Sequence, residues 1–354
     1  AAATTGISVA GIPFYSADSS IYTHDVSGTD STAQQNAAYG TNALDAITTG
    51  DANTAIGFGS SSGVTTGTRN VALGRSSLDS PDTENDNLAI GYNALAGAIN
   101  GGEFNVAIGN YALDALTSGD YNVAIGYEAG SSLTTHNSDV LIGYQAGKAL
   151  STGDDGVIAI GYQAGLALTT CSSSVFIGKN AGDGHDTEDH NMGIGRHALG
   201  GSVAGGEYNV AIGSYSLDAL TSGDYNVAVG YNSGTAINSG EAHTLVGNEA
   251  GRKITTSAHN TCIGYFAGGE LTTGATNIAI GSLALDGCDT ESNNVAIGFA
   301  ALGGAVAGGE YNVAVGNYTL DALTSGDQTT ALGHNAATRL TTGNFCTYLG
   351  SEAG

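Results

Sequence analysis

The sequence predicts an all-β protein: a parallel β-solenoid, or β-roll, made of coils of about 17 to 18 residues. Three observations carry the prediction. Glycines recur at 40, 57, 74, 91, 109, 126, 143, 161, 178, 195, 213, 230, 247, 264, 281, 298, 316, 333 and 350, a nearly constant interval that is the period of a stacked repeat. The residue before each glycine is Ile, Leu or Val in eighteen of the nineteen copies, Tyr39 being the exception, and two positions further back it is mostly β-branched (Val71, Val106, Val123, Val175, Val210, Val313). Period-two alternation of such residues, closed by a glycine, describes a short strand, and a helix would not carry so many glycines.

Composition bounds the alternatives. One period running through most of 354 residues argues for a repeat domain rather than two or three globular ones. Of the residues 57 are Gly and only two are Pro, with no Gly-x-y triplet to suggest collagen. Disorder would not keep aliphatic residues in register nineteen times. The formal charge of −25, from 8 basic and 33 acidic residues, repels phosphate backbones and argues against nucleic acid as a partner. No run approaches the roughly 18 apolar residues of a membrane-spanning helix, so no membrane insertion is expected. Cys171, Cys262, Cys288 and Cys346 fall at different points of the repeat and read as small packing residues.

In chain order, residues 1–36 depart from the template. They carry Pro13, Phe14, Tyr15 and Tyr22 and a polar stretch from Ser27 to Gln35, and are read as a cap or attachment segment, because the first coil of a solenoid leaves an open edge. Residues 37–354 form the solenoid of about 19 coils. Turn 110–126, NYALDALTSGDYNVAIG, shows the whole consensus. It predicts two short strands and two turns per coil, with Gly119 and Gly126 at corners that need positive φ or close approach. Within the main strand Val123 and Ile125 share one face, Asn122 and Ala124 the other. The larger aliphatics are assigned to the interior, giving a core of Ile56, Ile90, Ile108, Ile125, Ile160, Ile212 and Ile280. The second face, Ala in 13 of 19 copies, is assigned to close approach of another wall, part of it another chain.

The Asn four residues before the glycine recurs at 36, 53, 70, 87, 105, 122, 191, 209, 226, 260, 277, 294 and 312. This column is read as an amide ladder, side chain to side chain. A longer rhythm overlies the first. Asp82-Thr83-Glu84, Asp186-Thr187-Glu188 and Asp289-Thr290-Glu291 recur six coils apart, as do the GGE(F/Y)NVA(I/V)G segments that begin at Gly101, Gly205 and Gly308. A six-coil block has therefore been duplicated, and at about 4.8 Å per coil it is about 29 Å long. The candidate metal ligands are Asp82, Glu84, Asp186, Glu188, Asp289 and Glu291, whose carboxylates suit calcium; solvated acidic corners are the competing reading. Tyr127, Tyr144 and Tyr162 follow consecutive landmark glycines and form a candidate surface-binding column, with mutual packing as its alternative. The eight histidines are scattered and no paired-carboxylate or Ser-His-Asp arrangement repeats, so no catalytic residue is assigned. Paired threonines suggest an ice-binding face, but Thr-Ser and Gly-Gly coils interrupt it.

The Asn-Val-Ala-Ile-Gly core, with a downstream Ala and a Gly corner, resembles the head repeat of YadA-like trimeric autotransporter adhesins. The longer Asn-x-Ala-Ile-Gly-Tyr-x-Ala-Gly/Leu…Leu-Thr-Thr-Gly form resembles repeats of bacteriophage tail fibres. The resemblance covers 37–354 and implies a left-handed roll, a homotrimer, and a role in attachment to a host cell or surface through a glycan or protein, outside the cell on a virion tail fibre or a cell-surface appendage. The coil is longer than the adhesin repeat. The expected function is thus a non-enzymatic fibre shaft or adhesin segment; the alternative is a subunit of an extracellular filament joined end to end through residues 1–36. An enzyme on a β-helix would need clustered carboxylates in a groove. Because Gly354 stands four residues into a new turn, more chain is expected after it.

Overall fold

The computed structural model describes residues 4–9, 12–17, 20–23, 32–80, 82–152, 155–202, 205–304 and 308–354. The chain divides into two units, residues 1–174 and 175–354, and each is all-β. In the first, β1 (Thr4–Val9) and β2 (Ile12–Ala17) pair antiparallel, β2 pairs antiparallel with β3 (Ser20–Tyr22), and β3 pairs parallel with β4 (Ala37–Tyr39). From β4 to β11 (Ile158–Ile160) each coil contributes one three-residue strand, in parallel register with the next. The second unit repeats the arrangement from β12 (Val175–Ile177) to β22 (Thr347–Leu349). Both units are parallel β-solenoids with about 17 residues per coil. The stack begins earlier than the repeat does, because Tyr22 in β3 lies in register with Ala38 and is fully buried. Part of the 1–36 segment, including 24–31, lies outside the described residues.

The coil 110–126 shows why the period is what it is. Val123–Ile125 hydrogen-bonds to the strands on either side: the Val123 N–H reaches Asp139 O at 2.8 Å and the Gly126 N–H reaches Ile108 O at 2.7 Å. Gly126 then turns the corner at φ 144°, and a Cβ there would stand 2.2 Å from the carbonyl oxygen of Gly143 one coil on. No L-residue fits that position, which is why the landmark glycine does not vary. After the equivalent corner at Gly109, which opens this coil, Tyr111 and Leu113 have φ of 60° and 50°. This left-handed backbone wraps the chain tightly and costs non-glycine residues roughly 1–2 kcal/mol each, so a lone coil is unstable and stacking is obligatory. Among the described residues one strand forms per coil. The second strand expected from the sequence reduces to turns, with an isolated bridge between Glu241 and Ala258.

The strand faces the opposite way from the sequence reading. The interior receives Ala124, with Ala112, Leu113, Leu116 and Asn122 from the same coil, all fully buried. The isoleucines assigned to the core lie outside: Ile56 is 42% and Ile212 37% exposed, and Ile90, Ile108, Ile125, Ile160 and Ile280 are half-buried. The Ala face is therefore the inner wall and not a surface for another chain. Alternation fixes which residues share a face, but not which face turns inward. Here the Ala112–Leu113 turn lies so close across the coil that a methyl group is all the strand centre can add.

Exceptions at the strand centre demonstrate that limit. Leu141 replaces the Ala, and Gly130 and Gly147 replace the Leu opposite; a Cβ on either glycine would meet a Leu141 methyl at 2.7 Å. Phe176 does the same against Gly182, where a Cβ would come within 2.2 Å of the ring, and the next coil has Gly193 at its strand centre. Volume is exchanged across the interior and the packing stays dense.

The Asn column is structural, and its partner is mainly backbone. Asn122 Oδ1 accepts the N–H of Asp139 at 3.0 Å, and its Nδ2 donates to His136 O at 2.7 Å. Asn105, Asn209 and Asn277 repeat the pattern. Side chain to side chain bonds occur at Asn105–Asn87 and Asn226–Asn209. Each buried amide thus satisfies two backbone groups that the turn leaves unpaired.

Candidate interaction surfaces

Turning Ala inward turns two uncharged columns outward, both mostly aliphatic, the first interrupted by Thr54, Thr244, Thr261, Thr330 and Thr347. In the first unit they include Val106, Val123 and Val140 beside Ile108, Ile125 and Ile142; in the second, Val210 and Val227 beside Ile212 and Val229. No Asp, Glu, Lys or Arg stands in either column. A flat, parallel-sheet face of this kind is seldom left open to water.

The tyrosine column is assembled as the sequence suggested. Tyr127 stacks on Tyr144 at 5.5 Å between ring centroids and Tyr144 on Tyr162 at 5.2 Å, with interplanar angles of 11° and 10°. Tyr111 meets Tyr127 edge-on at 6.2 Å and Tyr92 edge-on at 5.2 Å. The stacked rings cover each other's faces, so what they offer solvent is ring edges and hydroxyls. Beside them Gln163 Nε2 donates to Gln145 Oε1 at 2.9 Å, Gln145 Nε2 to Glu128 Oε2 at 2.8 Å, and Lys148 Nζ lies 2.5 Å from Glu128. A cleft of about 290 Å³ opens there, lined by Tyr111, Asp114, Tyr127, Glu128, Ser131 and Lys148.

The Asp-Thr-Glu corners expose their Asp and Thr but bury their Glu. Glu84 is buried, and its carboxylate accepts the N–H groups of Asp82 at 2.9 Å, Thr83 at 3.0 Å and Gly101 at 2.9 Å. Glu188 holds Asp186, Thr187 and Gly205, and Glu291 holds Asp289, Thr290 and Gly308, in the same way. Each of these three glycines belongs to one of the longer coils, so the carboxylate anchors the loop that carries the extra residue. Asp82 accepts the hydroxyl of Thr65 and Asp289 that of Thr272, while Asp186 accepts the N–H of Thr187 at 2.9 Å. The Glu oxygens proposed as calcium ligands are thus occupied by backbone donors. Among the described residues no group of three or more His, Cys, Asp or Glu side chains could hold a metal ion.

Sequence reasoning passed over two features. One is a second acceptor column six residues before the landmark glycine: Asp120 Oδ1 accepts the N–H of Glu103, Asn137 that of Asp120, and Asp155 that of Asn137, at 2.7 to 2.9 Å. The recurrence of Asp, Asn and Glu at that position was its signal. The other is a set of buried histidines. His243 takes an Asn place in the ladder: its Nδ1 accepts the Asn260 N–H at 3.1 Å and its Nε2 bonds Ser257 O at 2.9 Å, which requires a neutral ring. Burial lowers it to about 4. His185 stands where other coils place Leu or Ile, against Phe176 at 5.1 Å, and burial likewise lowers it to about 4. His136 differs. Burial is the largest single influence and opposes its charge, but the Asp139 carboxylate, 3.2 Å away, the Thr152 backbone and Asp155 together outweigh it and hold the ring above its ordinary range. The paired threonines are also partly committed, since the hydroxyls of Thr48 and Thr134 donate to carbonyls of the next coil.

No protein-family model matches the chain, and no curated protein matches it.

Proposed function

We propose that this chain is a non-enzymatic, homotrimeric fibre shaft or adhesin segment that serves attachment to a host cell or surface, outside the cell on a virion tail fibre or a cell-surface appendage. The exposed aliphatic face carries the reading. Its side chains repeat at every coil, carry no charge, and match an identical copy placed in the same register, so parallel copies bury the columns against one another at about 25 cal/mol per Å² of apolar surface. The number three comes from the resemblance to YadA-like heads and tail fibre repeats. With the aliphatic columns inside such an assembly, the tyrosine edges, acidic corners and Thr ranks form its outer surface, where weak sites repeated around and along the fibre add avidity. The net charge of −25 keeps the assembly soluble. Electron microscopy of the purified chain tests the role: discrete fibres support it, whereas open-ended filaments favour the end-to-end subunit and isolated single chains contradict both.

A further inference from the structure

The tyrosine columns hold a chemical possibility that attachment does not use. Tyr127, Tyr144 and Tyr162 are 42%, 42% and 48% exposed and near-parallel. In the second unit Tyr208 and Tyr225 repeat the geometry, 5.3 Å apart at 10°. Near-parallel rings one coil apart hold equivalent atoms at about the centroid spacing of 5.2 to 5.5 Å, so the carbons ortho to the two hydroxyls come to the same side of the stack. Edge-on pairs such as Tyr92–Tyr111, at 88°, do not align those carbons. Phe104, stacked on Tyr121 at 5.1 Å, has no phenol to oxidise.

We propose that these stacks are sites of oxidative cross-linking, in which peroxide and a haem peroxidase join Tyr127 to Tyr144, or Tyr144 to Tyr162, and Tyr208 to Tyr225, as dityrosine staples between adjacent coils. Each phenol gives up one electron and one proton, and hydrogen peroxide takes both pairs to become two waters. The two tyrosyl radicals form a carbon–carbon bond between ortho carbons, and the two ring hydrogens displaced move to the phenol oxygens as the rings regain aromaticity. At Tyr127 a proton acceptor is nearby: the neighbouring Glu128 carboxylate holds the phenol above its ordinary range. The unbroken run of rings from Tyr92 to Tyr162, 5.2 to 6.2 Å apart, lets a radical formed on any of them migrate to a pair that can couple. The staple lies within one chain and is independent of assembly.

The test is to treat the full chain, as a dilute mixture of ordinary and isotope-labelled molecules, with a haem peroxidase and limiting hydrogen peroxide, then map dityrosine by fluorescence and peptide mass. The expected links are Tyr127–Tyr144, Tyr144–Tyr162 and Tyr208–Tyr225, each lighter by two hydrogens and free of mixed-isotope pairs. Tyr144→Phe should abolish the first two and leave the third. Absence of dityrosine, links only between different chains, or links as frequent at Tyr92–Tyr111 as at the stacked pairs would overturn the proposal.

Discussion

At the scale of the residue, the strand is a three-letter alternation whose middle letter decides the fold. Ala124 is fully buried and Ile125 half-buried, so hydrophobicity alone misassigns the core. Steric fit overrides it, because the strand centre packs inside the coil with Leu113 and Leu116, and where a larger residue such as Leu141 takes the place of Ala the positions facing it are Gly130 and Gly147. The contrast is measurable. Ala124→Asp places an unpaired charge in a dry interior and should cost at least about 3 kcal/mol, whereas Ile125→Asp should cost the isolated chain about 1 kcal/mol or less. Denaturant titration of both variants at high dilution checks this, and equal losses would return the isoleucines to the core.

At the scale of the coil, much was legible and some was not. The period, the strand position, the corner glycine and the Asn column follow directly from the recurrence of Gly126, Val123 and Asn122. The inward face was hidden because alternation is symmetric, although the exchange of Leu141 with Gly130 and Gly147 across the interior encoded it. Glu84 was unreadable for another reason: a charged residue in a loop ordinarily faces water, and only the backbone shows three N–H groups converging on it. The volume exchange predicts coupling. Gly147→Ala should destabilise by about 1–3 kcal/mol through its clash with Leu141, and Leu141→Ala by about 2–5 kcal/mol through a cavity. The double variant should lose less than the sum, and additive losses in a double-mutant cycle would refute the packing account.

The buried histidines give the two units opposite pH responses. His185 and His243 bind a proton less readily when folded, with 6.5 falling to about 4. Their contribution is complete above 6.5, is lost as pH falls from 6.5 to 4, and is constant below that window. At about 1.4 kcal/mol per unit, the difference between 6.5 and 4 amounts to about 3 kcal/mol for each. His136 is raised, so its contribution is present below 6.5 and is lost as pH rises through its folded value. Hydrogen exchange followed by mass spectrometry should show residues around 185 and 243 losing protection from neutral pH to pH 4, with His185→Leu restoring it locally. Unchanged protection in the native chain over that range would contradict the neutral, buried assignment.

At the scale of the whole molecule, the 33 acidic and 8 basic residues all fall outside the two aliphatic columns. Identical copies can therefore meet along those columns without opposing charge, while their other faces repel. The central claim is that the outward isoleucines are covered by further copies of this chain. Sedimentation equilibrium of the native chain tests it most directly, together with a Val123→Asp/Ile125→Asp variant whose β-type circular dichroism is retained. The account predicts a mass of three chains for the native protein and a lower mass for the variant. A native protein that sediments as a single folded chain at every concentration would contradict it.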